Sequence, residues 1–372
     1  MTRHSSVPSH EDATPRLARS TRGMVTSPHT LASAAGLDVL RAGGNAIEAA
    51  IVTAAALSVT YPHFNGLGGD AFWIIAERDG AVRTLSGIGQ AAADVSRYPL
   101  GSTHAWPLRG AASALTTAAT VDSWGLAHDI SARDWGGTRS WASLFEPAIH
   151  HARDGFPVSV SQSFWMQLRA AELRALPGFA ATFAPHGRIP AQGERFAQPA
   201  LARSLERIAT HGVREFYEGE LAERIARGLA DAGSPLTFAD LAATRARDEP
   251  PLRVTYRGGE LVTLAPPTQG VTTLQIMGML ERFDLASIAE GSTDYYHVLV
   301  EAVKRAFIDR ERYVSDPEFD AVPIDAMLSR ASLDAHARAI DRHKARAWPH
   351  VFRQGDTAFI GVADDAGRCV SL

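Results

Sequence analysis

The sequence is poor in cysteine and contains no long apolar run. Its single cysteine, Cys369, cannot form an intrachain disulfide or a cysteine-based zinc site, so nothing indicates an oxidising compartment. The longest apolar stretch, residues 46–59, contains Glu48 and is too short to cross a bilayer. Residues 1–22 are polar and lack the apolar segment of a signal peptide. We therefore expect a cytoplasmic protein with a flexible leader at residues 1–22 and no membrane partner.

A clustered excess of positive charge is also missing. The 372 residues include 37 Lys and Arg against 41 Asp and Glu, a formal net charge of −4, and only Lys304 and Lys344 are lysines. Nucleic-acid phosphates are bound by clustered cations, so this balance argues against a nucleic-acid partner. With 45% hydrophobic and 21% charged residues, the composition is that of a globular protein with one large core or two domains.

Common motifs for metals, cofactors and nucleophiles are absent as well. The 14 histidines show no HExxH or similar spacing, and there is no Gly-x-Ser-x-Gly elbow, so we predict no metal and no cofactor. The glycine-rich segment 66–69 follows a helical pattern and precedes a strand pattern, the reverse of a dinucleotide-binding loop. We interpret it as backbone packed tightly against other segments, with the lining of a site as the alternative.

Local patterns predict both helices and strands along the chain. Helices are expected at residues 30–41, 46–59 with Asn45 as cap, 271–283, 293–313, and 333–347 with Ser332 as cap. Strands are expected at residues 71–76, 81–85, 252–256, 260–264, 357–363 and 368–372.

One segment near the end of the sequence carries chemistry. Gly355-Asp356-Thr357 places a small residue and an aspartate before a threonine that begins the last predicted hairpin. Such a pattern is typical of a turn that leads into a strand. A threonine at a chain terminus can also be its own catalyst, because its hydroxyl is the nucleophile and its free α-amine is the base. That second interpretation requires cleavage of the bond between Asp356 and Thr357.

A series of short segments extends in order from residue 23 to the end of the sequence. They are GMVTSPH (23–29), LRAGGNAIEAA (40–50), YPHFNGLGGD (61–70), EPA (146–148), GFPV (155–158), LTFADL (236–241), PPTQG (266–270), EAVKRAF (301–307), DR (309–310) and DP (316–317). Together with Gly355-Asp356-Thr357, this set resembles the γ-glutamyltranspeptidase superfamily of N-terminal-nucleophile hydrolases.

The resemblance implies an α+β fold, the αββα sandwich of N-terminal-nucleophile hydrolases, and self-cleavage before Thr357. Residues 23–356 would form the large-subunit region, and residues 357–372 would begin a small subunit that is mostly absent from this sequence. One sheet is therefore expected to be incomplete, and residues 1–372 alone are expected to be inactive because the oxyanion-hole donors are missing. The implied partners are a small-molecule amide substrate and the protein's own small subunit.

The stretch that would select the substrate departs from that of the glutamyl transferases. Those enzymes carry an Arg-Glu pair after the second strand, and here Ile88 or a neighbour within residues 86–91 replaces the arginine. An apolar side chain cannot replace a bidentate carboxylate clamp. Residues 61–73 resemble the oxamate-amidohydrolase branch, so a small amide such as oxamate is expected, with Gln90 as a candidate substrate-binding residue. A γ-glutamyl donor such as glutathione, or a non-catalytic remnant, is the alternative.

Overall fold

The strands form one large antiparallel sheet and two hairpins. The computed structural model describes residues 18–98, 110, 113–176, 178–348 and 357–372. The strands are β1 (Gly23–Thr26), β2 (Ala71–Ala76), β3 (Val82–Gly87), β4 (Phe156–Pro157), β5 (Arg195–Phe196), β6 (Arg247–Glu249), β7 (Leu252–Tyr256), β8 (Gly259–Thr263), β9 (Gly361–Asp364) and β10 (Cys369–Ser371). The six-stranded sheet has the order β1-β9-β10-β2-β3-β6, while β4 pairs with β5 and β7 pairs with β8.

Helices account for most of the remaining regular structure. They are α1 (Thr30–Arg41), α2 (Ala46–Thr60), α3 (Thr120–Asp134), α4 (Glu146–Asp154), α5 (Val160–Leu168), α6 (Ala170–Leu173), α7 (Phe179–Phe183), α8 (Pro199–His211), α9 (Glu220–Asp231), α10 (Phe238–Ala243), α11 (Gly270–Leu280), α12 (Thr293–Tyr313), α13 (Ile324–Leu328) and α14 (Arg330–Arg338). Within the described residues, none of these helices combines the length and apolarity needed to cross a bilayer.

Helix α2 is the centre of the main hydrophobic core. All 15 of its residues are buried, as the apolar sequence on every side predicts. The predicted cap is confirmed, because the Asn45 side chain accepts from the N–H groups of Ile47 and Glu48. The Glu48 carboxylate in turn accepts from the Asn45 N–H. The helix packs on the sheet beside Trp73 and Val362, which belong to the same core.

The two faces of the large sheet differ. Trp73 and Ile75 of β2 point into the helical core and are buried, whereas Phe72, the residue before Trp73, is 42% exposed. Met24 of β1 is also exposed. The described parts of the chain contain no second large sheet, so only one sheet of the expected αββα sandwich is formed there, and the α+β class is confirmed.

Two predicted boundaries are wrong. The helix expected at residues 333–347 is α14, which begins earlier because the Ser329 side chain, not that of Ser332, accepts the capping bond. It ends at Arg338 because the following segment is held along α12, where the Arg346 N–H donates to Glu301. The strand expected at 357–363 begins only at Gly361, since its neighbour β1 ends opposite that residue at Thr26.

The hairpin of β9 and β10 lies inside the sheet rather than at its edge. Strand β9 pairs with β1, and β10 pairs with β2, so two strands from earlier in the sequence flank the hairpin. Asp364, at the end of β9, is 6% exposed and accepts from the Ala46 N–H at the start of α2 at 3.1 Å. The same carboxylate accepts from Arg368 Nε at 2.8 Å. One buried aspartate therefore joins the hairpin to the central helix.

We predict that Asp364→Ala destabilises the protein by about 2–4 kcal/mol, because it removes the acceptor for the first N–H group of α2 and leaves Arg368 without its buried partner. Urea unfolding monitored by circular dichroism measures this change. Asp365→Ala is the matched control, since Asp365 is exposed, and it should change the free energy of unfolding by less than about 0.5 kcal/mol. Equal effects of the two substitutions would contradict this role for Asp364.

Candidate active site

The predicted nucleophile lies at a large cavity on the open side of the sheet. Thr357 is exposed and borders a cavity of about 610 Å³. The cavity is lined by residues of the α2–β2 connection, by the start of α3 and by the two ends of the terminal hairpin segment: Ala54, Pro62, His63, Phe64, Asn65, Gly66, Gly68, Gly69, Asp70, Ala71, Phe72, Thr120, Trp124, Thr357, Ala358, Ile360 and Leu372.

Thr357 is positioned by the sheet. The Ile360 N–H donates to the Leu372 carbonyl at 2.7 Å, and the Leu372 N–H donates back at 2.9 Å, so pairing extends beyond β9 and β10 toward the threonine. Thr357 thus lies at the cavity wall, a few residues before the central strand β9. Asp356, the other half of the predicted cleavage junction, lies outside the described residues.

The glycine-rich loop lines this cavity. A Cβ added at Gly68 or Gly69 would meet no atom within 4 Å, so the interpretation of tight packing is wrong and the alternative, the lining of a site, holds. Thr120 anchors the loop from α3, because its N–H and its hydroxyl both donate to the Gly69 carbonyl, at 3.1 and 2.7 Å. The N–H groups of Gly68 and Gly69 have no partner among the described residues and are open to a ligand.

Asp70 supplies a carboxyl group to the cavity. Desolvation raises the pKa of Asp70. A hydrogen bond that the Gly89 N–H donates to Asp70 Oδ1 at 3.0 Å opposes part of that rise. Gly89 must be glycine, since a Cβ there would lie 1.6 Å from the Thr117 carbonyl oxygen. Asp70 therefore fixes the start of the segment that carries Gln90.

Gln90 is held by its backbone and stands apart from the cavity lining. Its N–H donates to Thr117 Oγ1 at 3.1 Å, and its carbonyl accepts from the Thr117 N–H at 2.8 Å. The residue is half-buried and does not border the cavity that Thr357 borders. The described residues thus do not bring Gln90 and Thr357 into one lining, and the substrate-binding role of Gln90 stays a prediction.

His63 forms part of the wall opposite the hairpin. Its Nε2 hydrogen-bonds to Ser161 Oγ at 2.9 Å, while its Nδ1 is buried without a partner among the described residues. Desolvation is the main cause that lowers the pKa of His63 to about 4, and the nearby His29 makes a smaller contribution. The imidazole is therefore neutral at physiological pH, and this wall of the cavity carries no positive charge.

Positive side chains are also missing from the rest of the lining that the structure describes. Within the described part of the chain, no arginine or lysine borders the cavity at Thr357. No group of three or more histidine, cysteine, aspartate or glutamate residues in that part is arranged to hold a metal ion. The described lining therefore offers a ligand main-chain N–H groups, neutral side chains and the Asp70 carboxyl.

Sequence reasoning selected Thr357 but missed His63, Asp70 and Thr120. The first two lie in the segment 61–70, which carries part of the family resemblance, so that segment was the sequence signal for them. Thr120 had none, because it reaches the loop from a helix 51 residues further along the chain.

The comparison with protein families is decisive for classification. The family model described as gamma-glutamyltranspeptidase matches residues 32–372. Since this match covers most of the sequence and agrees with the fold and the site described above, the chain belongs to the γ-glutamyltranspeptidase family.

Three relatives illustrate the relationship. The oxamate amidohydrolase proenzyme of Klebsiella pneumoniae is 42% identical over 95% of this chain, and the glutathione hydrolase-like YwrD proenzyme of Bacillus subtilis is 40% identical over 95%. The chain spans 66% of the length of each. The crystal structure of cephalosporin acylase from Bacillus halodurans matches with a TM-score of 0.87 and 29% identity, over 100% of this chain and 68% of that one.

We predict that His63 makes the protein less stable in mild acid. Its pKa is about 4 in the folded state and near 6.5 when unfolded, so the unfolded chain binds more protons between these values. Stability is complete above pH 6.5 and falls as the pH drops toward 4. Allowing for partial exposure, His63 contributes about 1–2 kcal/mol to this loss.

Urea unfolding of the wild type and of His63→Gln at pH 7.5 and pH 5 measures the effect. His29 and His151 also have lowered pKa values, so the variant should retain part of the acid sensitivity. An identical pH dependence in wild type and variant would contradict a neutral, desolvated His63.

Proposed function

We propose that this chain is the nucleophile-bearing part of a self-processing amide hydrolase in which Thr357 acts as nucleophile. The observation that carries the proposal is the exposed Thr357 at the border of the cavity, held there by strands β9 and β10 at the centre of the sheet. Membership of the γ-glutamyltranspeptidase family supports it, as do the relatives named proenzymes.

The chemistry proceeds in two stages. First, the Thr357 hydroxyl attacks the carbonyl carbon of residue 356. The peptide bond breaks, which frees the α-amine of Thr357 and leaves an ester between its side-chain oxygen and residue 356, and water then hydrolyses that ester. Second, that amine removes the hydroxyl proton as the oxygen attacks the substrate amide. The carbon–nitrogen bond then breaks, the proton leaves with the amine or ammonia, and water hydrolyses the resulting ester. Residues 23–356 act as the large-subunit region and residues 357–372 as the beginning of the small subunit.

A small amide such as oxamate fits the cavity better than a γ-glutamyl donor. A γ-glutamyl donor needs an arginine for its α-carboxylate, and no arginine borders the cavity within the described residues. The unpaired N–H groups of Gly68 and Gly69 can donate to the oxamate carboxylate instead. The relative named glutathione hydrolase-like keeps the γ-glutamyl reaction as the second candidate.

Two further parts of the proposal concern the isolated chain and its location. We expect residues 1–372 alone to show no amide hydrolysis, because the face of the sheet beside Thr357 is uncovered at Phe72 within the described residues. Activity of these residues by themselves would contradict this point. The cytoplasmic location and the flexible leader at residues 1–22 stay predictions.

We predict that Thr357→Ala abolishes self-cleavage in the full-length gene product, because no hydroxyl remains to attack the preceding carbonyl. Thr357→Ser should still cleave, since it retains the hydroxyl. Denaturing electrophoresis measures both, and Thr273→Ala, at an exposed position in α11, is the matched control that should cleave normally. Cleavage at this junction in Thr357→Ala would show that another residue is the nucleophile.

We predict that the full-length protein releases ammonia from oxamate and does not turn over a γ-glutamyl anilide. Gly68→Pro removes one N–H, and loss of a hydrogen bond to a carboxylate should raise KM for oxamate about tenfold or more. Gly68→Ala keeps the N–H and adds a Cβ with no neighbour within 4 Å, so its KM should stay close to wild type. Turnover of the anilide without ammonia release from oxamate would favour the γ-glutamyl reaction.

A further inference from the structure

A second, smaller cavity adjoins the one at Thr357. Its volume is about 150 Å³, and we call it the aromatic cavity because its walls are mainly aromatic and apolar side chains of the α2–β2 connection and of the segment from α5 to α7. The side chains that define it are Phe64, Trp165, Met166, Leu173, Phe179 and Phe183.

The two cavities share a wall. Pro62, His63 and Phe64 border both of them. The shared side chains are fixed, since the Phe64 and Trp165 rings meet edge to face with centroids 5.4 Å apart, and His63 is bonded to Ser161. The aromatic cavity therefore lies directly beside the cavity at Thr357, with these three residues between them.

The charges around the aromatic cavity are compensated. Arg169 is the one cation that borders it within the described residues, and its guanidinium is paired with Glu172 at 3.1 Å. The same guanidinium lies 6.0 Å from the centroid of the Trp165 ring. Because His63 is neutral as well, the cavity offers no free positive charge for an anion, and an apolar group is the ligand that it suits.

The size of the aromatic cavity narrows the choice of ligand. A cavity of about 150 Å³ with mainly apolar walls is large enough for a benzene-sized molecule. Met166 adds a polarisable side chain that adapts to a ring, and the Phe179 and Phe183 rings lie 5.5 Å apart along one wall. A phenyl ring or an aliphatic group of similar volume therefore matches both the volume and the lining.

We propose that the aromatic cavity is a subsite for a phenyl-sized apolar acyl group of an amide whose carbonyl is attacked by Thr357. This inference rests on the proposed function of Thr357. The acyl side is assigned because the acyl group stays bound through both steps of an acyl-enzyme reaction, whereas the amine must leave between them. Oxamate would leave this subsite empty, whereas an amide that carries a phenyl ring on its acyl side would fill it.

Binding is measured apart from catalysis, in the full-length gene product carrying Thr357→Ala. The probes are benzamide, phenylacetamide and 3-phenylpropanamide, which place the ring at increasing distance from the amide, with acetamide and acetanilide for comparison. Ligand-observed NMR titrations give the Kd values. We expect one of the three arylalkyl amides to bind at least tenfold more tightly than acetamide and than acetanilide, which carries its ring on the amine side.

Variants at two leucines locate the bound ring. Leu173→Trp fills the aromatic cavity and should weaken binding of the preferred amide at least tenfold, with Leu173→Phe as a milder form if the first does not fold. Leu168→Trp is the matched control, because Leu168 is 60% exposed on α5 and does not border the cavity. Circular dichroism checks that each variant is folded.

Equal Kd values in the Thr357→Ala protein with and without a folded Leu173 substitution would overturn the subsite, as would tighter binding of acetanilide than of all three amides that carry the ring on the acyl side. The proposed function fails separately. If the arylalkyl amide binds in the aromatic cavity but protein with Thr357 intact releases no ammonia from it or from oxamate, the subsite stands and the hydrolase assignment does not.

Discussion

The pairing of the β9–β10 hairpin between β1 and β2 is the interaction on which the rest of the structure depends. The hairpin completes the sheet, its inward side chains complete the core over α2, and its first residues carry Thr357 to the cavity. Because strands from earlier in the chain lie on both sides, cleavage before Thr357 would remove one covalent bond and leave the ladder bonds in place. Asp364 adds a buried attachment to the start of α2.

The second feature that shapes the site is the lack of positive charge among the described residues that line it. The glycine loop presents main-chain N–H groups, His63 is neutral, and Arg169 is already paired within the neighbouring wall. The described lining thus offers no ionic clamp for a substrate. It offers hydrogen bonds from a fixed backbone and an aromatic surface, and relatives within the family carry the names of different amide-cleaving enzymes.

Local sequence was sufficient for the elements whose caps and apolar patterns are local. The Asn45 cap and the apolar surface of α2 specified that helix, whereas Thr357 was identified only when its junction was taken together with the family resemblance of the segments from residue 23 onward. Features set by distant contacts were not predictable. The end of α14 depends on Glu301 of α12, and the openness of the loop at Gly68 depends on Thr120, which no local pattern connects to it.

The most direct test of the account is mass spectrometry of the wild-type, full-length protein under native and denaturing conditions. Under denaturing conditions, the account predicts a fragment whose first residue is Thr357. Under native conditions, it predicts that this fragment stays bound to the rest of the protein, because the hairpin remains within the sheet. An uncut chain, a cut at another bond, or loss of the fragment in native buffer would contradict it.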